Sequence, residues 1–123
     1  MSRAILEENR IHPAIREKIA GLNADIVREV QEAAAAHAVV VVGMRQNPMP
    51  RHARKLLDMH RIPYQYLEYG SYLAGWRRRN ALKLWTGWPT FPMVFVKGVL
   101  VGGAEDLARL HASGELAKLL ENK

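Results

Sequence analysis

A chain of 123 residues is long enough for one domain with its own hydrophobic core, and its 49% hydrophobic and 24% charged residues are ordinary for a globular protein. The sequence contains no cysteine, which excludes disulfides, thiolate metal sites and cysteine nucleophiles together, while its formal net charge of +6 allows an anionic partner. Because Arg3, Glu7 and Arg10 interrupt any apolar run near the first residue, and no apolar run approaches a membrane span, we expect no signal peptide, no membrane segment and a cytoplasmic location.

The first predicted elements are helices. Residues 1–22 predict short helical pieces that break at His12-Pro13, because proline suits the first turn of a new helix. Asn23 is the predicted N-cap of the next helix, which ends near His37. The unbroken run Val39-Val40-Val41-Val42 then predicts a strand that is buried on both faces.

This strand leads directly into another predicted helix, with Asn47 as its N-cap and Pro48 as its first residue. A thiol redox enzyme would carry its nucleophile at such a junction, because a helix N-terminus stabilises a thiolate. This junction offers Asn47 and Pro50 instead. The sequence therefore excludes thiol–disulfide exchange by the protein's own side chains.

The remaining predicted elements complete a mixed α/β pattern. Residues 64–68 predict a second strand, and residues 73–85 predict a strongly basic helix. The dipeptide Lys97-Gly98 predicts a tight hairpin turn between two further strands. One helix is predicted to begin at Ala104, and a last one is predicted to be capped by Ser113. This order of elements predicts a small mixed sheet that is covered by helices.

Four motifs follow one another in the second half of the chain. They are, in chain order, Arg79-Asn80-Ala81-Leu82-Lys83, Trp88-Pro89-Thr90-Phe91-Pro92, Val96-Lys97-Gly98 and Val101-Gly102-Gly103. Their order resembles the glutaredoxin branch of the thioredoxin fold, and is most similar to its monothiol members. The resemblance covers roughly residues 24–121. It implies an α/β, thioredoxin-like fold with a small mixed four-stranded sheet flanked by helices, in which residues 1–22 form an N-terminal helical extension and residues 23–123 the glutaredoxin-like domain.

The resemblance also implies where the family would carry its cysteines. The nucleophile would stand at Asn47, and the second cysteine of dithiol members at Pro50, so that Asn47-Pro48-Met49-Pro50 is similar to Cys-Pro-x-Cys without its sulfurs. An amide nitrogen is no nucleophile near neutral pH, and helix capping, worth about 1 kcal/mol, explains Asn47 by itself. No catalytic residue is therefore expected.

A groove for glutathione is the second implication of the resemblance. The backbone of Phe91, before a cis Pro92, would pair with the cysteinyl part of glutathione. The segment Gly103-Ala104-Glu105-Asp106 would hold the γ-glutamyl group through backbone amides and carboxylates. Arg79 would meet the glycine carboxylate, and Arg45 would add positive charge near the groove. Stabilisation of the helix dipole explains the two acidic residues equally well.

Three other patterns have ordinary explanations. The basic run Trp76-Arg77-Arg78-Arg79 could contact nucleic-acid phosphates, but no nucleic-acid motif accompanies it, so a solvated basic face or a rim that attracts carboxylates is favoured. The five histidines share no metal-ligand spacing, so no metal site is expected. The tryptophans Trp76, Trp85 and Trp88 are predicted to pack in the core or at its rim.

Two functional hypotheses follow. The first is a non-catalytic binding or adaptor module, in which the groove takes glutathione or an extended peptide and the N-terminal helices dock a protein partner. The alternative, which the resemblance alone suggests, is a glutathione-dependent disulfide oxidoreductase or an iron–sulfur cluster carrier. Glutathione is the only candidate cofactor, an extended peptide is the alternative ligand, and neither nucleic acid nor a membrane is an expected partner.

Overall fold

A four-stranded sheet lies between two layers of helices in the computed structural model, which describes residues 3–71 and 75–121. The elements are, in chain order, α1 (Pro13–Gly21), α2 (Ala24–Ala36), β1 (Val39–Gly43), α3 (Pro48–Met59), β2 (Gln65–Glu68), α4 (Trp76–Thr86), β3 (Met93–Val96), β4 (Val99–Gly102), α5 (Ala104–Ala112) and α6 (Glu115–Glu121), with a short 3-10 helix, Glu8–Arg10, before α1. The predicted mixed α/β architecture is confirmed.

The strand order is β2-β1-β3-β4, with β1 parallel to β2 and antiparallel to β3. Strands β3 and β4 form the predicted hairpin. Its turn residues Lys97 and Gly98 have φ values of 53° and 79°, and a two-residue type I′ turn requires positive φ at both positions. Because Val42 pairs with Met93, the end of β1 lies beside the start of β3. This pairing brings the β1–α3 loop close to the segment that precedes β3.

The valine run supplies the centre of two cores. Val40 and Val42 pack with α2 and α4 on one face of the sheet, whereas Val39 and Val41 pack with α3, α5 and α6 on the other. All four side chains are buried. The prediction of a strand buried on both faces is confirmed, and its cause is that helices cover both sides of a central strand.

The N-terminal residues lie against the body without joining its core. No side chain of α1 is buried, and Arg3 donates a hydrogen bond from Nη1 to the carbonyl oxygen of Thr86 at 2.9 Å. Asn23 stands at the N-cap position of α2, but its side chain makes no capping hydrogen bond, so that part of the prediction is wrong. Its left-handed backbone (φ 48°, ψ 36°) departs from the extended conformation that a capping side chain uses. The division at residue 22 stays a prediction.

Helix α4 begins at Trp76, whereas the sequence predicted a start at Leu73, which lies outside the described residues. Trp76 is 55% exposed, so the prediction that it packs in the core or at its rim is wrong. Trp85 stacks on Phe95 with ring centroids 5.9 Å apart, and Trp88 packs against the core on the α2–α4 face. These two tryptophans lie at the rim, as predicted.

Candidate functional site

The side chain of Asn47 joins two segments that are distant in sequence. Its Oδ1 accepts a hydrogen bond from the backbone N–H of Met49 at 3.0 Å, which caps α3 as predicted. Its Nδ2 donates to the carbonyl oxygen of Phe91 at 3.3 Å. The Phe91–Pro92 peptide bond is cis, and both residues are buried. The residue at the expected nucleophile position therefore lies within hydrogen-bond reach of the residue before the cis-proline.

The start of α5 forms the opposite side of the same region. Asp106 Oδ2 accepts a hydrogen bond from the backbone N–H of Gly103 at 3.0 Å, which caps the helix from its first turn. Gly102 has a φ of 110°, and a Cβ on it would lie 2.6 Å from that same oxygen. Arg109 lies 3.8 Å from Glu105 and 3.9 Å from Asp106. Asp106 therefore stabilises its own helix start, and its contact with a ligand stays a prediction.

These segments enclose a groove of about 370 Å³. Seven residues singled out in the sequence line it, together with three that were given no binding role there, Met49, Trp88 and Thr90. The seven are Asn47, Phe91, Pro92, Gly103, Ala104, Glu105 and Asp106. The structure therefore gathers residues from the start of α3, the loop before β3 and the start of α5 around one cavity.

The other predicted residues lie elsewhere. Arg79 is only 6% exposed and donates from Nη1 to the carbonyl oxygen of Tyr69 at 3.1 Å. Arg45 has an exposed side chain whose Nε is 3.8 Å from Glu68 Oε2. Pro50 is buried against Gly43 at the end of β1. None of the three lines the groove, and a ligand-binding role for Arg45 and Arg79 stays a prediction.

Trp88 is a groove residue that the sequence assigned only to packing. Its indole Nε1 is buried and has no hydrogen-bond partner among the described residues, although a buried indole N–H usually finds one. A Cβ on Gly103 would lie 3.8 Å from this nitrogen. The position of Trp88 in the motif before Pro92 was visible in the sequence, but the direction of its ring depends on the tertiary contact with Gly103.

Comparisons with known proteins agree with this geometry. A family model described as Glutaredoxin matches residues 39–101. A glutaredoxin-like protein from Dictyostelium discoideum is 41% identical over 101 residues, which cover 82% of this chain and 82% of that protein. The chain belongs to the glutaredoxin family.

Two further relatives extend the comparison of this glutaredoxin. Monothiol glutaredoxin-4 from Schizosaccharomyces pombe is 32% identical over 83% of this chain, which matches 43% of that longer protein. Among solved structures, a buckwheat glutaredoxin–glutathione complex has a TM-score of 0.71 and 26% identity, and the match covers 80% of this chain and 90% of that one. The thioredoxin-like glutaredoxin fold expected from the motifs is confirmed.

The chemistry of this glutaredoxin is limited by its side chains. It lacks the active-site cysteine, since the whole sequence has none. Tyr66, next to Pro50, is also no base at neutral pH: burial and the hydrogen bond that its hydroxyl donates to Glu68 at 3.0 Å raise its pKa to about 12. Within the described part of the chain, no group of acidic and histidine side chains could hold a metal ion. The polar side chains that line the groove are those of Asn47, Thr90, Glu105 and Asp106, together with the indole nitrogen of Trp88.

No helix among residues 3–71 and 75–121 has both the length and the apolar character needed to cross a bilayer.

Proposed function

We propose that this glutaredoxin is a non-catalytic binding module that holds glutathione, or another extended peptide, in the groove between Asn47, Pro92 and the start of α5. The observation that carries the proposal is that one cavity gathers the Phe91-Pro92 backbone and the α5 N-terminus while Asn47 stands at the expected nucleophile position. The similar buckwheat structure is a complex with glutathione. A glutaredoxin fold without a thiol can still bind glutathione through its backbone and polar groups, but it cannot form a mixed disulfide with it.

The groove has complementary groups for a small anionic peptide. The first helical hydrogen bond of α5 runs from Leu107 N–H to Gly103 O at 3.0 Å, so the amides of Ala104 and Glu105 precede it and are available to a ligand carboxylate. The Glu105 carboxylate, exposed at the rim, suits an ammonium group. Backbone groups of Phe91 would pair with an extended peptide.

The alternative function needs a sulfur that the chain does not have. Reduction of a mixed disulfide through the protein requires a thiolate nucleophile, and an iron–sulfur cluster is held by thiolates. The side chains that line the groove offer an amide, hydroxyl and carboxylate oxygens, an indole and a thioether, so they do not fit such a cluster. A cytoplasmic location and an adaptor role through the N-terminal helices are further parts of this proposal.

A titration with S-methylglutathione tests the proposal, because this ligand cannot react through sulfur. We expect saturable shifts of the backbone amides of Phe91, Gly103 and Asp106 in NMR spectra at millimolar ligand, as with glutathione itself. Ala104→Glu should weaken the affinity severalfold, because its carboxylate opposes that of the ligand. The matched change Ala112→Glu, at the other end of α5, should leave the affinity unchanged.

Two results would contradict the proposal, one from this titration and one from a disulfide-reductase assay. If the three amides do not shift at millimolar ligand, the groove is not a glutathione site. If the purified protein reduces a mixed disulfide faster than the glutathione blank, the non-catalytic assignment is wrong.

A further inference from the structure

A second groove lies between α1, α2 and α4 and has a volume of about 640 Å³. It shares no lining residue with the groove near Asn47. Apolar side chains from three segments form its walls: Ile19 and Leu22 around the end of α1, Val27 of α2, and Ala81 and Leu84 of α4. This groove, which we call the α2–α4 groove, is therefore separate from the groove near Asn47.

Large apolar side chains in this groove remain in contact with water. Leu84 is 81% exposed, Leu22 57% and Trp76 55%. Helix α1, which has no buried side chain, does not close over them. Contiguous exposed apolar surface on a soluble domain marks an interaction site more often than isolated exposed residues do.

The groove continues along α2 into a neighbouring cavity of about 770 Å³, because Gln31 and Trp85 line both. The neighbouring cavity of about 770 Å³ reaches the end of α2 at His37 and the exposed side chain of Val99 on β4. From Asn23 to His37 the continuous surface follows α2 for about 21 Å, at 1.5 Å per residue. That length matches a helix of about four turns.

The charged side chains on this surface are basic. Apart from His37, the charged residues that line the two cavities are Arg28, Arg77 and Lys97, and no carboxylate of the described residues lines either cavity. Two of the three carboxylates of α2 have other partners, since Asp25 pairs with Arg78 at 3.0 Å and Glu29 accepts a hydrogen bond from Tyr69. The third, Glu32, is exposed and lines neither cavity. Within the described chain, none of the three basic residues forms an ion pair.

We infer that the α2–α4 groove docks an amphipathic helix of a partner protein, with an apolar ridge that fills the groove and acidic side chains that meet Arg28 and Arg77. This is the helix-in-groove mode of recognition, with charge complementarity at the rim. The inference rests on the adaptor part of the proposed function, for which it specifies the surface and the chemistry of the partner.

Two other occupants fit less well. The chain's own N-terminal segment does not fill the groove, because Ile5 and Leu6 are exposed and neither lines it. A second copy of the chain would bring Arg28 and Arg77 towards an equally basic surface, and like charges oppose such contacts.

The test uses a pair of synthetic peptides with the whole chain of 123 residues. Each peptide has about 14 residues and a leucine ridge at helical spacing, flanked by glutamates in one peptide and by lysines in the other. We expect the glutamate peptide to bind with one-to-one stoichiometry, to shift amides of α2 and α4 in NMR spectra, and to bind at least about tenfold more tightly than the lysine peptide.

Two exposed positions on α4 provide variants that should keep the fold. Leu84→Ala should weaken binding of the glutamate peptide about tenfold, through loss of buried apolar area, and Arg77→Glu should remove its advantage over the lysine peptide. The matched changes Met59→Ala and Lys55→Glu, exposed on α3, should leave both affinities unchanged.

Each other outcome overturns the inference. Equal binding of the two peptides, or no shift in α2 and α4, means that the groove does not recognise an acidic helix. Shifts of groove amides that depend on protein concentration alone identify a second copy as the occupant, and nuclear Overhauser contacts from Ile5 or Leu6 identify the chain's own segment. S-methylglutathione is titrated separately into each variant. Loss of peptide binding at the α2–α4 groove can therefore be distinguished from loss of glutathione binding at the groove near Asn47.

Discussion

Asn47 has two structural functions that one small amide can combine. Its side-chain carbonyl oxygen caps α3, and its side-chain amide nitrogen donates a hydrogen bond to the neighbouring Phe91 carbonyl. Neither interaction requires a nucleophile. The position at which the family would carry its cysteine is therefore occupied here by a group that stabilises the junction and gives the groove a polar wall.

Replacing Asn47 separates these two interactions. Asn47→Ala removes both and should lower the free energy of unfolding by about 1 kcal/mol, mainly through loss of the N-cap. Asn47→Ser keeps a capping oxygen but is too short to hold the Phe91 carbonyl, so it should recover most of this loss. Urea denaturation of the three proteins measures the difference. Equal stability of wild type and Asn47→Ala would show that the cap contributes nothing.

At the scale of elements, the turn from β4 into α5 depends on glycine. Gly102 has a φ of 110° and lies so close to Asp106 that a side chain would displace the carboxylate from Gly103 N–H. The helix start that faces the groove is thus held by a contact that only a residue without Cβ permits. By contrast, Gly98 in the hairpin turn also has positive φ, but the space around it is open.

Alanine substitutions at these two glycines should differ in their cost to stability. Gly102→Ala should lower the free energy of unfolding by about 1–3 kcal/mol, since it adds a collision with Asp106 to the backbone strain. Gly98→Ala should cost about 1 kcal/mol, from backbone conformation alone. Thermal or urea unfolding measures both. A cost for Gly102→Ala no larger than that for Gly98→Ala would contradict the assigned role of the Asp106 contact.

The whole molecule has two separate grooves on one scaffold, which share no lining residue. The groove near Asn47 lies where the end of β1, the start of β3 and the start of α5 meet, whereas the α2–α4 groove is lined by residues within 19–31 and 76–85. Asn47 stands in the first groove at the position where the family would carry its cysteine. The backbone that would position a nucleophile remains in place.

Placing a cysteine at position 47 tests whether the rest of the protein can still support reduction of a disulfide. Asn47→Cys should give a thiol whose pKa lies below the ordinary value of about 8.5, because it caps the N-terminus of α3. It should also gain glutathione-dependent reduction of a mixed disulfide. Ultraviolet absorbance of the thiolate as a function of pH, with a coupled reductase assay, measures both. An ordinary pKa together with no activity would mean that more than the sulfur has been lost.

Much of the fold follows from local rules. The Val39–Val42 run, the Asn47-Pro48 helix start and the Lys97-Gly98 turn each depend on the chemistry of neighbouring residues, so their elements could be predicted. The residues around Pro92 and Gly103 were assigned to a groove by the family resemblance and not by such rules, and most of them line the same cavity. Asn23 shows the limit of such rules, because its backbone conformation depends on how α1 meets α2.

The sequence by itself determined the order of helices and strands and the absence of thiol chemistry, because periodicity and residue type are sufficient for both, while the family followed from the resemblance of its motifs. Only the tertiary structure decided that Asn47 reaches Phe91 across 44 residues, that Arg79 is buried against Tyr69, and that Trp76 remains exposed. Such contacts depend on how helices and strands pack, and the direction of a side chain is settled by neighbours that are distant in sequence.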